Sequence, residues 1–145
     1  MDTESSAELL ELTTRAIYEH RGPQDMHPGQ WAVLRYMAQA SSQTRTIAGV
    51  SNYLGMTMGP ASRAVSALAR KKFLDVKPLE TDRRKRVIRV TRAGRRVLEN
   101  DPILKLADVL RTMPSKKRDG FLIGLTYVRE KLAALQLDDV TDLAE

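Results

Sequence analysis

Apolar residues recur at helical spacing along most of the chain and give way to strand-like runs in one short stretch. Between Ser5 and His20, Leu9, Leu12 and Ala16 form one stripe and Leu10 and Ile17 a second, which predicts a helix capped by Ser5 or Ser6 with contacts on both sides. Arg21, Gly22 and Pro23 end it. His27-Pro28-Gly29 opens a second helix to about Ala40, where Trp31, Leu34 and Ala38 share a face with Met37 beside them, the pattern of a core helix. After the polar run Ser41-Ser42-Gln43, Thr46 to Leu54 reads as a short helix with Ile47, Val50 and Leu54 inward and Gly55 as its stop. Thr57 is placed to cap the next helix, and Pro60 falls where the missing N–H is an orphan anyway. In that helix Ala61, Val65 and Leu68 repeat at core spacing, leaving Met58, Ser62, Arg63, Ser66 and Arg70 outside.

A short helix, a Gly-containing turn and a second helix with a basic outer face form the helix-turn-helix pattern. Two β-like runs follow, Phe73 to Lys77 and Val87 to Val90, and the residues between them predict a hairpin with a basic tip. Thr91 is placed to cap a helix from Arg92 to about Thr112, bent at Asn100-Asp101-Pro102. Ser115 starts the last helix, in which Phe121, Leu125, Val128, Leu132 and Leu135 alternate spacings of four and three, the seam of a helix that packs on other helices. The acidic tail from Asp138 is expected to fray. The fold class is therefore mainly α with a small β-hairpin.

Composition narrows the function. At 145 residues with 42% hydrophobic and 29% charged residues, the chain suits one compact domain with a core. No run approaches the roughly 18 apolar residues of a membrane span, and the first residues lack a signal-peptide pattern, so a cytoplasmic protein is expected. With no cysteine, thiolate metal sites and thiol chemistry are excluded. The two histidines, His20 and His27, lack placed partners, so neither a metal site nor a catalytic constellation is expected. Charge is concentrated: residues 63–96 hold 13 basic and 3 acidic groups, a net of +10, whereas residues 1–62 and 97–145 each carry −2. A cationic segment between mildly acidic ones suits a polyanion partner, although a solvated basic face has the same composition.

In this order of elements the chain resembles the MarR family of winged helix-turn-helix transcription regulators. The resemblance lies in Glu80-Thr81-Asp82-Arg83-Arg84 in the hairpin, the strand Val87-Ile88-Arg89-Val90, and Thr91-Arg92-Ala93-Gly94 after it. Leu54-Gly55-Met56-Thr57 to Leu68 matches the register of the helix-turn-helix, and Gln30-Trp31 sits where the family often begins its second helix. The chain departs from the family at Lys72, where a Gly is usual, and at Pro60 and Ala61, where Thr and Val are commoner. The resemblance implies one domain over 1–145, with a winged-helix lobe at about 28–92 and dimerisation helices at about 5–20 and 92–137.

A B-form major groove admits a helix, so the face with Ser62, Arg63 and Ser66 suits base edges, with Arg63 the first choice because its fork engages guanine O6 and N7 together. Thr57 and Ser62 hydroxyls suit phosphate or base contacts, and Arg70 extends the same basic face. Alternatively, Ser62 and Ser66 only solvate the helix. In the hairpin, Arg83, Arg84, Lys85 and Arg86 are candidates for DNA contact; the resemblance implies that a wing-tip arginine enters the minor groove, with Arg84 favoured and then Arg86. Asp82 would repel phosphate and is expected to pair with an arginine and shape the loop, Arg83 being as suited to that partnership as to phosphate.

The terminal helices carry more apolar surface than a small lobe covers, which implies a partner, an intrachain helical cap being the alternative; the resemblance makes the partner a second copy, on a pseudo-palindromic double-stranded DNA operator. It also implies a small aromatic or phenolic effector, for which Tyr18, Trp31, Arg35 and Tyr36 are candidate pocket residues, Trp31 being as readily a core residue. The function expected is a homodimeric repressor released by a ligand. The other reading keeps the fold and gives the basic wing an acidic protein partner.

Overall fold

The computed structural model describes the backbone of residues 1–142 and the side-chain surroundings of residues 1–136. It resolves into two compact units, residues 1–104 and 105–145. Among the described residues no helix is long and apolar enough to cross a membrane.

In the first unit, α1 spans Thr3–Ile17 and is capped by Asp2, not by Ser5 or Ser6. A carboxylate suits the positive end of a helix better than a hydroxyl, and it accepts the Ser5 N–H at 2.7 Å. The serines lie inside the first turn, where Ser6 donates its hydroxyl back to the Asp2 carbonyl at 2.8 Å. The helix also stops before His20, because Tyr18 leaves helical geometry and packs against the core. Helix α2, Pro28–Gln39, buries Trp31, Leu34 and Met37 as their spacing predicts, and Val33 besides. Its start is fixed by Pro28 and by the Gln30 side chain, which accepts the His27 N–H at 3.1 Å. At its other end Arg45 donates to the carbonyls of Met37 and Ala40, at 3.0 and 2.8 Å, so a cation closes the negative end.

Helix α3, Ile47–Leu54, is capped by the Thr46 hydroxyl and ends on Gly55, whose φ of 63° is the left-handed conformation that glycine adopts without a steric cost. The Ser51 hydroxyl then crosses the turn to the Met56 carbonyl at 2.5 Å. Helix α4, Met58–Arg70, buries Ala61, Val65 and Leu68. These join Met26, Val50, Leu74, Ile88, Val97 and the buried face of α2 in one core. Each fully buried aliphatic side chain there contributes about 1.5–3 kcal/mol.

Strands β1, Leu74–Pro78, and β2, Arg86–Val90, pair antiparallel with Leu74 opposite Val90 and Pro78 opposite Arg86. The first strand begins one residue later than its β-like run because Phe73 still closes the preceding helix: its N–H bonds the Leu68 carbonyl at 3.0 Å.

The helix expected over 92–112 is two helices rather than one bent one. Helix α5, Arg92–Leu98, and α6, Ile103–Thr112, are separated at Asp101-Pro102. Pro102 has no N–H to donate, and Asp101 accepts the Ile103 N–H at 3.0 Å while its carboxylate is clasped by Arg35. In the second unit, α7 runs over Ser115–Asp142. The tail expected to fray thus continues as helix to Asp142, and its last residues, 143–145, lie outside the described residues.

Candidate nucleic-acid interface

With Ala61, Val65 and Leu68 turned into the core, α4 presents Thr57, Arg63, Ser66 and Arg70 exposed and Ser62 half-buried. Thr57 occupies the cap position, but its side chain makes no capping hydrogen bond, so the N-terminus of α4 keeps its N–H groups and an exposed hydroxyl together. Such an end suits an anion.

The far end of α4 explains the departure at position 72. The N–H of Lys72 bonds the Ala69 carbonyl and that of Phe73 the Leu68 carbonyl, both at 3.0 Å, which is the paired closure of a Schellman motif. That motif requires a left-handed residue, and Lys72 adopts φ 65° to supply it. Its neighbour Lys71 extends to the Gln24 carbonyl at 2.6 Å and holds the loop before α2 against the end of α4.

The hairpin tip is organised by Asp82. Its carboxylate accepts the Arg84 N–H at 3.1 Å, its carbonyl accepts the Lys85 N–H at 3.0 Å, and the Leu79 N–H closes the loop on the Lys85 carbonyl at 2.9 Å. The arginine paired with this carboxylate is Arg84, at 3.9 Å, rather than Arg83. Because the Arg84 side chain is 97% exposed, this pair is loose and leaves the guanidinium available. Arg83, Lys85 and Arg86 are exposed as well, so the tip offers four adjacent cations.

Thr91 fastens wing and helix together. Its hydroxyl donates to the Lys72 carbonyl at 2.6 Å and accepts the Gly94 N–H at 3.0 Å, while its own N–H bonds the Phe73 carbonyl at 3.1 Å. Gly94 is buried so tightly there that a Cβ would overlap the Phe73 carbonyl oxygen. The Thr-x-x-Gly spacing thus has a local cause: the threonine closes α4 and caps α5, and the glycine lets the two backbones approach.

The proposed effector residues are dispersed into structural roles. Trp31 is a core residue, 2% exposed. Arg35 grips Asp101 with two hydrogen bonds, Nε to Oδ2 at 2.7 Å and Nη2 to Oδ1 at 2.8 Å, a planar fork on a carboxylate that is 4% exposed. Burial acts to lower the Arg35 pKa, but the hydrogen bonds to Asp101 and then Tyr18 outweigh it and the pKa is raised. Tyr36 donates its hydroxyl to the Thr44 carbonyl at 2.7 Å and packs its ring against Tyr53, 5.1 Å between centroids.

Sequence reasoning missed three features. Asp101 looked like part of a helix bend, although an acid before proline is a cap signal. Met26 is buried although it lies in a loop, where apolar periodicity has no register to read. Tyr53 is an exposed large side chain near the end of α3, and a count of inward positions passes over it.

No family model matches the sequence, and no curated protein matches it. Solved structures do. The chain is similar to Streptococcus pneumoniae FabT, solved in complex with DNA, with a TM-score of 0.73 and 20% identity over 92% of this chain and 99% of that one. It is also similar to the PcaV transcriptional regulator of Streptomyces coelicolor, solved with its natural ligand, with a TM-score of 0.72 and 20% identity over 90% and 93% of the two chains. A MarR/EmrR family transcriptional regulator from Acinetobacter sp. ADP1 gives 0.69 and 20% over 89% and 94%.

Proposed function

From the MarR-type winged-helix fold of this chain, we propose that it is a sequence-specific regulator of transcription that binds double-stranded DNA as a homodimer. In this reading α4 enters the major groove with Arg63 on a base edge, and the wing places Arg84 in the adjacent minor groove. Thr57, Ser62, Ser66 and Arg70 contact the backbone or bases beside Arg63, and Arg83, Lys85 and Arg86 contact phosphates around Arg84. The observation that carries it is the wing tip, where four exposed cations stand on a loop held in shape by Asp82, in the same lobe as the exposed basic face of α4. The DNA complex of FabT supports the reading, since that protein has the same fold.

The homodimer is supported by helices α1, α6 and α7, none of which has a buried residue among those whose surroundings are described. Two copies would place two α4 helices about one helical turn apart on a pseudo-palindromic operator. Repression relieved by a small ligand is the mode we infer. The ligand-bound PcaV structure supports it, and release requires that the ligand favour the arrangement that does not fit DNA.

Duplex selected from random sequences and titrated over a salt series tests the proposal. The log of affinity should fall steeply with log salt. Arg63→Ala should cost about 1–3 kcal/mol and relax one base position, whereas Arg84→Ala should weaken every sequence tested. Selection that returns no enriched sequence, with binding instead to an acidic protein, would favour the protein-partner reading of the wing.

A further inference from the structure

We infer that Met58 determines sequence specificity at the proposed DNA interface, reading the C5-methyl group of a thymine that lies within about two base pairs of the guanine read by Arg63. The inference rests on the DNA-binding function proposed above and adds to it a side chain that the apolar pattern placed on the outer face of α4 without a role. Among the described residues of the winged lobe, the large apolar side chains left exposed are Tyr53 and Met58. Tyr53 is used internally, its ring packed against Tyr36. Met58 is 53% exposed and belongs neither to the core nor to the half-buried residues packed against it.

Its position gives that exposure a use. Met58 is the first residue of α4, with Thr57 and Gly59 exposed on either side, and the N-terminal residues of a recognition helix are the ones that approach base edges. Arg63 reaches back to the same turn. A Cβ added at Gly59 would stand 3.3 Å from the Arg63 Nη1, so the guanidinium lies against Gly59 and the missing side chain leaves it that place. Thioether and guanidinium are therefore offered at one turn of the helix. Adjacent Cα atoms are about 3.8 Å apart and stacked base pairs about 3.4 Å, so the two groups suit neighbouring base pairs. No Asp or Glu occurs between Leu54 and Leu74, so no carboxylate of that segment competes with DNA for the arginine fork.

The chemistry of the side chain selects the base. A guanidinium donates to O6 and N7 of guanine, whereas a thioether has no donor and only a weak acceptor, so what it offers a groove is dispersion and the exclusion of water from an apolar group. Thymine alone among the bases presents a methyl group in the major groove. Cytosine and adenine present amino groups there, and covering one with Met58 would strand a donor. A thymine close to a guanine satisfies both side chains at once.

The full chain is titrated against a duplex enriched by selection, with each thymine replaced singly by deoxyuridine, which removes the methyl group and keeps the base pairing. The expected result is one thymine per half-site at which the replacement weakens binding about fourfold, the worth of one buried methyl group. It should lie within about two base pairs of the guanine whose preference Arg63→Ala relaxes. Met58→Ala should bind the thymine and deoxyuridine duplexes alike, whereas Met58→Leu should keep the preference. Circular dichroism and melting should be unchanged in both variants, because the side chain is exposed. Duplex binding in which no thymine methyl matters, a methyl effect that survives Met58→Ala, or a sensitive thymine remote from that guanine would overturn the inference and leave the DNA reading standing. A chain that binds no duplex would remove both.

Discussion

The winged lobe and the long helices use apolar residues in opposite ways. In the lobe, Leu34, Met37, Val50 and Leu68 are completely buried, and the half-buried residues around them seal the core. Helices α1 and α6 have no buried residue, and α7 leaves Phe121, Leu125, Tyr127, Val128, Leu132 and Leu135 exposed, with Ile123 72% exposed. One chain therefore completes the lobe and not the helices. Exposed apolar surface of this extent suits association, and on the homodimer proposed above the stability of the helices would depend on protein concentration whereas that of the lobe would not.

The sharpest way to separate the two regions is to remove one core side chain. Leu34→Ala should cost about 2–5 kcal/mol in denaturant melts, because the cavity lies where neighbours cannot collapse, and the loss should be the same at all protein concentrations. The double change Leu125→Glu with Leu132→Glu should instead weaken the proposed self-association by about a hundredfold, since two carboxylates would be desolvated in each half of an interface. Sedimentation that still shows a dimer, with unaltered concentration dependence, would break the comparison.

A smaller effect is expected at the junction. Asp101→Ala should destabilise by about 2–3 kcal/mol, because it strands the Arg35 guanidinium and uncaps α6 together. If Arg35→Met with Asp101→Leu recovers most of that loss, the pair serves geometry more than energy. Lys72→Gly should raise stability by up to about 1 kcal/mol, the left-handed strain of a lysine exceeding the extra chain entropy of glycine; an unchanged melt would show that the side chain is compensated. The smallest effect is at α1. The Ser5 N–H bond holds the Asp2 carboxyl below its ordinary pKa, so the cap contributes fully above that value and is lost as pH falls through the lowered one. The Ser5 amide resonance should titrate with a midpoint below that of an unstructured aspartate.

Local signals were readable in the sequence. Gly55, the Ala61-Val65-Leu68 spacing and Thr91 each act within a few residues, and all take the places their chemistry predicts. Even the left-handed turn at Lys72 was legible, as a position where glycine is usual. What was not legible depends on distance along the chain. Arg35 and Asp101 are 66 residues apart, so the clasp shows in no local window, although Asp101-Pro102 marks the place where the helix is interrupted. The same holds for Thr91 reaching the Lys72 carbonyl, and for Tyr36 reaching the Thr44 carbonyl. At the wing, composition located the cations but could not choose which arginine Asp82 would hold.

The fastening at Thr91 has a mechanical consequence. Because one residue at the exit of β2 is bonded both to the tail of α4 and to the first turn of α5, any tilt of α5 drags both prongs of the lobe in concert. A stimulus acting on α5 would thus shift the spacing of the whole lobe against its target in a single stroke, without first loosening either prong from the other.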